Sequence, residues 1–530
     1  MDILILLPAL LLKIFGLPID RAIYWSGVAI SPVLQVLAAL TTARAARLLW
    51  PEYDAWRLAA LMVLLNGAAM TYCLPGRPDH HSLGLLLAAL CTGQAIRAAL
   101  NTSDSTSAVK AGAWAGVGVW VSPESLIVIA PTLVAFGFLW LKSADQPRAW
   151  ARQGRNFGLG MTAVILLAVA VEQPPALWLH AEYDKVSLLY LAIAVAATLD
   201  FWLAERMPWP AWKRFIAAGL LAGASALILA ALFPHFYLGP LGNITTPEAK
   251  DFLDNIREMS PIIPINRATM NQFAGMVGNA LIALALIPYC LWKWRGQPRW
   301  SATLLASLIY LATFAATLAH QRIAVFLAPY GALLGCGVFA VLCSRAQNMR
   351  PVTKMTVRVG AAFIAAFGAQ LWFLVAKSDT ASAALNASCN PKPVADWLNT
   401  EHPGLAAPDP IGAERHSPII FSESINYPPE LAYRTPYRFV AGPYHRAIDD
   451  ITDMYRASIS EDDLTAREVI GRRHADYLLI CTTAVPKLIG ESAANSLYHR
   501  LLRGDVPGWL RPLPMSAEAN REFRLFAVQH

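Results

Sequence analysis

The sequence predicts an α-helical polytopic membrane protein with about twelve spanning helices, followed by a small soluble α/β domain. Three observations support this fold class. The 530 residues are 56% hydrophobic and 15% charged, with a mean hydropathy of +0.42, whereas soluble domains carry roughly 25% charged residues. The apolar residues are concentrated in blocks that short basic loops separate. The last part of the chain has an ordinary polar composition. We therefore expect a transmembrane domain over 1–377 and a soluble domain over 378–530.

Twelve apolar segments are candidates for crossing a bilayer, for which roughly 20 residues are needed. The stretch 111–141 is interpreted as two helices, because Pro123 and Glu124 interrupt it and a charge in the middle of a bilayer is costly. An earlier apolar stretch at 3–17, interrupted by Pro8, is either a cleaved signal or a helix on the outer face. The predicted spans are 22–42, 58–75, 82–100, 111–123, 124–141, 157–172, 187–203, 214–234, 274–292, 301–319, 323–343 and 357–376.

The basic residues lie mostly on one side of the predicted membrane. Loops on that side carry nineteen Lys and Arg residues, and loops on the opposite side carry six. Cytoplasmic loops are enriched in these residues, so we expect a bacterial inner-membrane protein whose C-terminal domain is periplasmic. The net charge of +7 follows from these topology signals. The expected partner of the basic residues is therefore the lipid bilayer and not a nucleic acid.

The soluble domain is predicted to be α/β, because strand-like runs alternate with helical runs. The strand-like runs are 418–421 and 477–481, and the helical runs are 394–399 and 464–472. Cys389 and Cys481 are the only cysteines of this domain. An oxidising compartment would allow them to form a disulfide, and we expect that bond.

One turn on the outer side collects residues that can carry chemistry. Asp79, His80 and His81 follow Arg77 between two predicted spans. A carboxylate and imidazoles at this spacing can ligate a divalent cation, and an adjacent arginine suits an anion such as phosphate. Alternation along the turn is expected to direct His80 away from Asp79 and His81. The alternative interpretation is a polar turn at the membrane surface.

Other charged residues are further candidates. Glu124 lies between two predicted spans. Three interpretations are open: it is a base, it supports a metal ligand, or it only interrupts the helices. Glu258 lies in a long outer loop, where a solvated charge is the simpler interpretation. Arg322 begins a span, where it either reaches the interface or binds the phosphate of a lipid carrier. In the soluble domain, His445 and Arg446 belong to a donor-rich cluster that serves the active site or holds a loop.

Together these features resemble the GT-C glycosyltransferases, and most closely the catalytic subunit of oligosaccharyltransferase in its archaeal and bacterial forms. The resemblance rests on the outward-facing helices, the Asp-x-His turn at Asp79, the outer-loop Glu258 and the soluble outer tail. It covers most of residues 1–377. The stretch around Tyr444 is similar to uncharacterised bacterial members. The resemblance implies a GT-C-like membrane domain and an inverting transferase with a polyprenyl-phosphate-linked glycan as donor.

The resemblance also implies roles for individual residues. Asp79 and His81 match the Asp-x-His metal motif, so they would ligate Mn²⁺ or Mg²⁺. Glu258 corresponds to the catalytic glutamate of the outer loop. Arg322 corresponds to an arginine that approaches the lipid pyrophosphate, and Arg77 would assist it. These assignments depend on short motifs and are expectations for the structure.

Two motifs of the family are missing. Its first acidic motif would lie before Met1, so we expect a truncated amino terminus, with Glu124 as a substitute carboxylate or an inactive chain as the result. The Trp-Trp-Asp-Tyr-Gly signature of the soluble domain is absent, and the acceptor therefore stays unknown. His445 and Arg446 are the expected substrate-binding residues of that domain.

The predicted function is transfer of a sugar or oligosaccharide from a polyprenyl-phosphate-linked donor to an acceptor at the periplasmic face. Two alternatives stay open. A polytopic transporter or lipid flippase would have similar hydropathy, although such proteins usually contain internal repeats and the sequence has none that we detect. A non-catalytic truncated paralogue is the second alternative.

Overall fold

The computed structural model describes residues 2–239, 256–368, 389–401, 417–483 and 487–529. It describes the backbone alone at Arg257, Arg267, Ala268, His445 and Lys487. The described residues form two compact units, one within 1–378 and the other within 379–530. The domain boundary predicted at residue 377 lies in 369–388, outside the described residues.

The first unit consists of α-helices and short 3-10 turns wherever the structure describes it. The apolar runs of the sequence form helices because a spanning helix satisfies all of its backbone hydrogen bonds internally. The helices are α1 (Asp2–Ile14), α2 (Ile19–Leu49), α3 (Ala55–Leu64), α4 (Gly67–Tyr72), α5 (His80–Leu100), α6 (Ser105–Val121), α7 (Leu126–Lys142), α8 (Pro147–Glu172), α9 (Leu188–Glu205), α10 (Ala211–Leu232), α11 (Arg267–Val277), α12 (Ile282–Lys293), α13 (Pro298–Ala319), α14 (Ala324–Gly335), α15 (Gly337–Arg345) and α16 (Pro351–Phe367).

Nine helical stretches of the described chain are long and apolar enough to cross a membrane, so this is a multi-pass membrane protein. Each corresponds to a predicted span. The nine are Ile19–Leu49, His80–Leu100, Pro123–Lys142, Pro147–Glu172, Leu188–Glu205, Ala211–Leu232, Thr269–Lys293, Pro298–Ala319 and Gln321–Arg345. Of the three remaining predicted spans, 111–123 forms the 17-residue α6, and 357–376 begins in the 17-residue α16 and continues outside the described residues. The third, 58–75, is divided in the structure.

Asn66 is the reason that α3 and α4 are separate helices. Its side chain accepts a hydrogen bond from the backbone N–H of Ala69 at 3.2 Å and donates one to the carbonyl of Val277 at 3.1 Å. The side chain is therefore an N-cap for α4 and a cross-link to another helix. The sequence pattern predicted one continuous helix here because Asn66 is a single polar residue in an apolar run.

Small residues bring the helices of the first unit into close contact. A Cβ atom added at Gly112 of α6 would lie 1.8 Å from the carbonyl oxygen of Phe157 in α8. In the reverse direction, a Cβ atom at Gly160 would lie 2.2 Å from the carbonyl oxygen of Val109. Helices in lipid associate through van der Waals packing of this kind, because lipid provides little hydrophobic drive between them.

The second unit is built on a five-stranded mixed sheet of order β2-β1-β3-β5-β4. β1 is parallel to β2 and β3, whereas β5 is antiparallel to β3 and β4. The strands are β1 (Ile419–Ser422), β2 (Arg438–Phe439), β3 (Tyr477–Cys481), β4 (Leu510–Leu513) and β5 (Phe523–Val528). The helices are α17 (Lys392–Glu401), α18 (Pro428–Arg434), α19 (Ile448–Ile459), α20 (Asp463–Arg472), α21 (Lys487–Gly490), α22 (Leu497–Leu502) and α23 (Ala519–Glu522). The predicted strands and helices of this domain are confirmed.

The predicted disulfide between Cys389 and Cys481 is present, with Cα atoms 6.3 Å apart. It joins the segment before α17 to the end of β3. Both cysteines belong to a buried cluster on one side of the sheet, which includes Leu398, Leu431 and Phe523. The bond therefore anchors the first helix of the unit to the core.

Candidate active site

The turn before α5 is held in place by hydrogen bonds to α2. Asp79 caps α5, since its side chain accepts from the backbone N–H of His81 at 3.0 Å. Ser31 of α2 donates to the carbonyl of Arg77 at 2.6 Å, and Ser82 donates to the carbonyl of Asp79 at 2.7 Å. The backbone of the turn is therefore fixed from two sides, and its charged side chains extend from a rigid base.

Asp79 is the centre of a group of charged side chains. Its Oδ1 lies 2.7 Å from His81 Nδ1 and 3.2 Å from His80 Nδ1, and its Oδ2 lies 3.3 Å from Arg77 Nη2. Burial raises the pKa of Asp79, but the hydrogen bonds from His81 and the two imidazole charges outweigh it and hold the pKa well below its usual range. His80 is close to Asp79, unlike the alternation prediction, because α5 begins at His80 and the segment is not extended.

Glu124 extends the group from a second segment of the chain. It lies in the 3-10 turn Pro123–Ser125 between α6 and α7. Its Oε2 is 3.2 Å from His81 Nε2, and its Oε1 is 2.6 Å from Arg322 Nη2. Arg322 lies in the 3-10 turn Gln321–Ile323, which precedes α14. The side chains of His81 and Glu124 are only 4% and 8% exposed, so these charges interact away from bulk solvent.

Glu258 joins the group from the long outer loop. Its Oε1 lies 2.8 Å from Arg77 Nη2, and the guanidinium of Arg77 also stacks 4.5 Å from the ring centre of Tyr72. The backbone N–H of Gln321 donates to the carbonyl of Ser260 at 3.1 Å, which ties this loop to the turn that carries Arg322. Glu258 is therefore not an isolated solvated charge. Tyr72 was not singled out in the sequence, where it is one aromatic residue at the end of an apolar run.

The structure thus brings together six of the predicted site residues from four distant segments: Arg77, Asp79, His81, Glu124, Glu258 and Arg322. The other two belong to the second unit. Arg446 is exposed in the 3-10 turn His445–Ala447, and the side chain of His445 lies outside what the structure describes. Their predicted role in substrate binding stays a prediction.

The group has the donor atoms that a divalent cation requires. Asp79, His80 and His81 each offer one ligand atom, and these atoms lie within 4.8 Å of one another. In addition, His81 Nε2 and Glu124 Oε2 are buried and lie 3.2 Å apart, and neither forms a hydrogen bond within the part of the chain that the structure describes. Buried polar atoms without a partner are rare, and imidazole nitrogen with carboxylate oxygen suits a first-row divalent metal. The residues therefore fit the metal that the family resemblance implies.

Three helix amino termini meet at the same group. Asp79 precedes α5, Glu124 precedes α7 and Arg322 precedes α14. The amino end of a helix carries a partial positive charge and unpaired N–H groups. These termini and the two arginines offer N–H donors that an anion such as phosphate could accept hydrogen bonds from.

No family model matches the sequence, and no protein in a search of curated proteins matches it. The structure is similar to solved structures of the archaeal oligosaccharyltransferase from Archaeoglobus fulgidus. The comparison with AglB in complex with an inhibitory peptide and a dolichol-phosphate gives a TM-score of 0.64 at 14% identity over 90% of this chain. The comparison with the enzyme tethered to an acceptor peptide containing the NVT sequon gives a TM-score of 0.58 at 15% identity over 96% of this chain. The comparison with the complex with Zn and sulfate gives a TM-score of 0.51 at 14% identity over 87% of this chain.

This chain spans 60%, 63% and 56% of the length of those three proteins, respectively. At such low identity, the similarity is one of fold. It extends over nearly the whole of this chain and agrees with the helical membrane domain and the small sheet domain described above. The chain therefore shares the fold of the archaeal oligosaccharyltransferase structures, as the resemblance of its sequence predicted.

Proposed function

We propose that this chain is a membrane glycosyltransferase that transfers a sugar or oligosaccharide from a polyprenyl-phosphate-linked donor to an acceptor. The observation that carries the proposal is the group of two arginines, three carboxylates and two histidines near the amino ends of spanning helices, with His81 and Glu124 buried at its centre. A lipid-linked donor has its phosphate and sugar at this depth, where the apolar helices end. The fold supports the same assignment, because a structure of similar fold was solved with a dolichol-phosphate.

The charged residues divide into two roles. Arg322 and Arg77, now paired with Glu124 and Glu258, are the groups that would bind the phosphate of the donor. A divalent cation, when bound, stabilises the negative charge of the leaving phosphate. His81 and a neighbouring carboxylate would hold that cation, and the sequence motif assigns Asp79 as the carboxylate. The charge pairs would hold the two arginines in position before the donor phosphate binds.

Glu258 is the best candidate for the group that activates the acceptor. Its side chain is 41% exposed, whereas those of Asp79 and Glu124 are 16% and 8% exposed. A general base must reach the proton that it accepts, and an acceptor arriving from water meets Glu258 first. Arg77 would hold Glu258 in place until then.

A transfer assay tests the proposal. The purified chain in nanodiscs is incubated with radiolabelled polyprenyl-phosphate-linked and polyprenyl-diphosphate-linked sugars and a membrane extract that supplies acceptors. We expect label to leave the lipid fraction in a reaction that requires Mn²⁺ or Mg²⁺. His81→Ala should abolish it, His80→Ala should be milder, and Arg322→Gln should lower the rate about 100-fold, as removal of one charge-stabilising donor typically does.

Arg299→Gln is the matched control. Arg299 forms an ion pair of 2.8 Å with Glu52 on a basic loop, comparable to the 2.6 Å between Arg322 and Glu124. This change therefore removes a paired arginine without touching the site. An equal rate for the Arg322→Gln and Arg299→Gln proteins would contradict the proposed role of Arg322. Movement of the intact labelled lipid between leaflets, without release of sugar, would instead indicate a flippase.

The proposal includes a periplasmic position for the site and the second unit in a bacterial inner membrane. The reason is the distribution of basic residues: the loops on the side predicted to be cytoplasmic carry nineteen, and the loops on the other side carry six. Fusion of alkaline phosphatase after His530 should give active enzyme, and fusion of a reporter that is active only in the cytoplasm should not. The reverse result would overturn the topology.

A further inference from the structure

We infer that the divalent cation of this site is ligated by His81 Nε2 and Glu124 Oε2, and that Asp79 is a positioning residue and not a ligand. The inference rests on the proposed function only for the presence of a cation. It differs from the sequence motif, which assigns Asp79 and His81 as the ligands. The contacts of each donor atom decide between the two arrangements.

The first step is the state of the two proposed ligand atoms. His81 Nε2 and Glu124 Oε2 are buried, lie 3.2 Å apart and form no hydrogen bond with any partner in the described part of the chain. A buried polar atom without a hydrogen bond is unfavourable. Both side chains are more than nine-tenths buried and direct these atoms toward the same point. A cation between them would satisfy both atoms.

The second step is the distance. Ligands at adjacent corners of an octahedron around a cation with bonds of about 2.1 Å lie about 3.0 Å apart. The 3.2 Å between His81 Nε2 and Glu124 Oε2 is close to that value. The two atoms would therefore reach a common cation with small side-chain shifts, and water or donor phosphate would supply its other ligands.

The third step concerns the atoms behind the ligands. His81 Nδ1 lies 2.7 Å from Asp79 Oδ1, and Glu124 Oε1 lies 2.6 Å from Arg322 Nη2. A histidine that ligates a metal almost always donates its other ring N–H to a carboxylate or carbonyl group, which fixes the tautomer with a lone pair on the ligating nitrogen. Asp79 occupies that supporting position for His81, and Arg322 supports Glu124 in the same way.

The fourth step is the state of Asp79 itself. Its Oδ1 already accepts from the backbone N–H and the Nδ1 of His81 and lies 3.2 Å from His80 Nδ1. Its Oδ2 faces Arg77 at 3.3 Å. Ligation by Asp79 would compete with the cap of α5 or with the contact to Arg77. Ligation by Glu124 would compete only with its 3.2 Å contact to His81 Nε2, since Oε2 forms no hydrogen bond within the described residues.

The arrangement has a consequence for the donor. A cation held by Glu124 lies next to Arg322, which contacts the other oxygen of the same carboxylate. One phosphate could then bind to the cation and to Arg322 together. Glu124 would thus connect the two groups that stabilise the leaving phosphate.

The test measures Mn²⁺ binding to the full chain in nanodiscs, without donor or acceptor, from the loss of the electron paramagnetic resonance signal of free Mn²⁺. We expect Glu124→Gln and His81→Ala to raise the Kd more than 100-fold. Asp79→Asn should raise it about 10- to 100-fold, as changes to supporting residues do, and His80→Ala less than threefold. Glu258→Gln is a carboxylate control and should also change the Kd less than threefold.

A second measurement separates the roles of Asp79 and Glu124. Electron spin-echo envelope modulation should detect a ¹⁴N nucleus bonded to Mn²⁺ in the parent and Asp79→Asn proteins, and not in His81→Ala. Glu124→Asp, which shortens the side chain by one methylene, should weaken binding at least tenfold even if Glu124→Gln does not fold. A Kd within threefold of the parent for either Glu124 variant would overturn the inference.

The outcomes for the site and for the function are distinguishable. If Mn²⁺ binding depends on Glu124 and His81 but no lipid-linked sugar is transferred, the inference stands and the proposed function fails. If sugar is transferred but Glu124 variants bind Mn²⁺ normally, the function stands and the sequence motif with Asp79 as ligand is the better assignment. Absence of Mn²⁺ binding by the parent chain up to millimolar concentrations would overturn the inference outright.

Discussion

Replacing Glu423 with glutamine is expected to stabilise the second unit at neutral pH and above. Glu423 directly follows β1 and is fully buried. Its Oε2 accepts a hydrogen bond from the hydroxyl of Tyr427 at 2.6 Å, and its Oε1 accepts one from the backbone N–H of Cys481 at 3.0 Å. Burial raises the pKa of Glu423 from 4.5 to about 7, although the hydrogen bonds from Tyr427 and Cys481 oppose this shift.

The direction of the pH effect follows from the raised pKa. Between pH 4.5 and about 7 the folded unit keeps a proton on Glu423 that the unfolded chain has lost. Folding therefore becomes less favourable as the pH rises through this interval, and the loss is complete above it. The difference in pKa corresponds to about 3 kcal/mol. Glutamine has the same shape, can accept from Cys481 and donate to Tyr427, and does not titrate, so the variant should not lose this stability.

Hydrogen exchange measured by mass spectrometry on the full chain provides the assay. Protection of the β1 and β3 amides, corrected for the intrinsic exchange rate, should be compared at pH 4.5 and pH 7.5. The ratio of protection in Glu423→Gln to that in the parent should rise about 100-fold between these two values. Glu430→Gln is the control, because Glu430 is partly exposed and paired with Arg434. A change in the ratio below threefold for Glu423→Gln would refute the argument.

Two further predictions concern stability. In the unreduced, denatured chain a thiol reagent should leave Cys389 and Cys481 unlabelled, and labelling of both thiols would contradict the bond. Replacing both cysteines with serine should destabilise the second unit by about 4 kcal/mol in denaturant titrations, because the bond closes a loop of 92 residues. Gly112→Ala should lower the melting temperature of the detergent-solubilised protein, since its Cβ would lie 1.8 Å from the backbone oxygen of Phe157. Gly219→Ala is the control and should not, because its Cβ would meet no described atom within 4 Å beyond its own stretch of helix. Equal melting temperatures would show that α6 and α8 can separate without cost.

Helix positions and the separate soluble domain followed from local properties of the sequence. A spanning helix satisfies its own backbone hydrogen bonds, so hydropathy alone locates it, and nine of the twelve predicted spans correspond to candidate spans of the structure. The division at Pro123 and Glu124 was predicted because a charge in the middle of a bilayer is costly. The break at Asn66 was not predicted, because a single polar residue stops a helix only if another segment offers it a hydrogen-bond partner. In the structure that partner is the carbonyl of Val277.

The site was predictable as a set of residues but not as an arrangement. Asp79 and His81 are neighbours in sequence, so their association needed no tertiary information. The contacts of Glu124 with His81 and Arg322, and of Glu258 with Arg77, depend on which helix ends meet.

What the sequence by itself determined is therefore the positions of most spanning helices, the helical and α/β parts of the chain and the Asp-x-His turn, all of which depend on residues near one another in the chain. Only the tertiary structure decided that Glu124 faces His81 while Asp79 supports the imidazole from the other side. The physical reason is that helix packing depends on the close fit of small residues such as Gly112 against distant backbone, and this fit determines which charged ends are brought together.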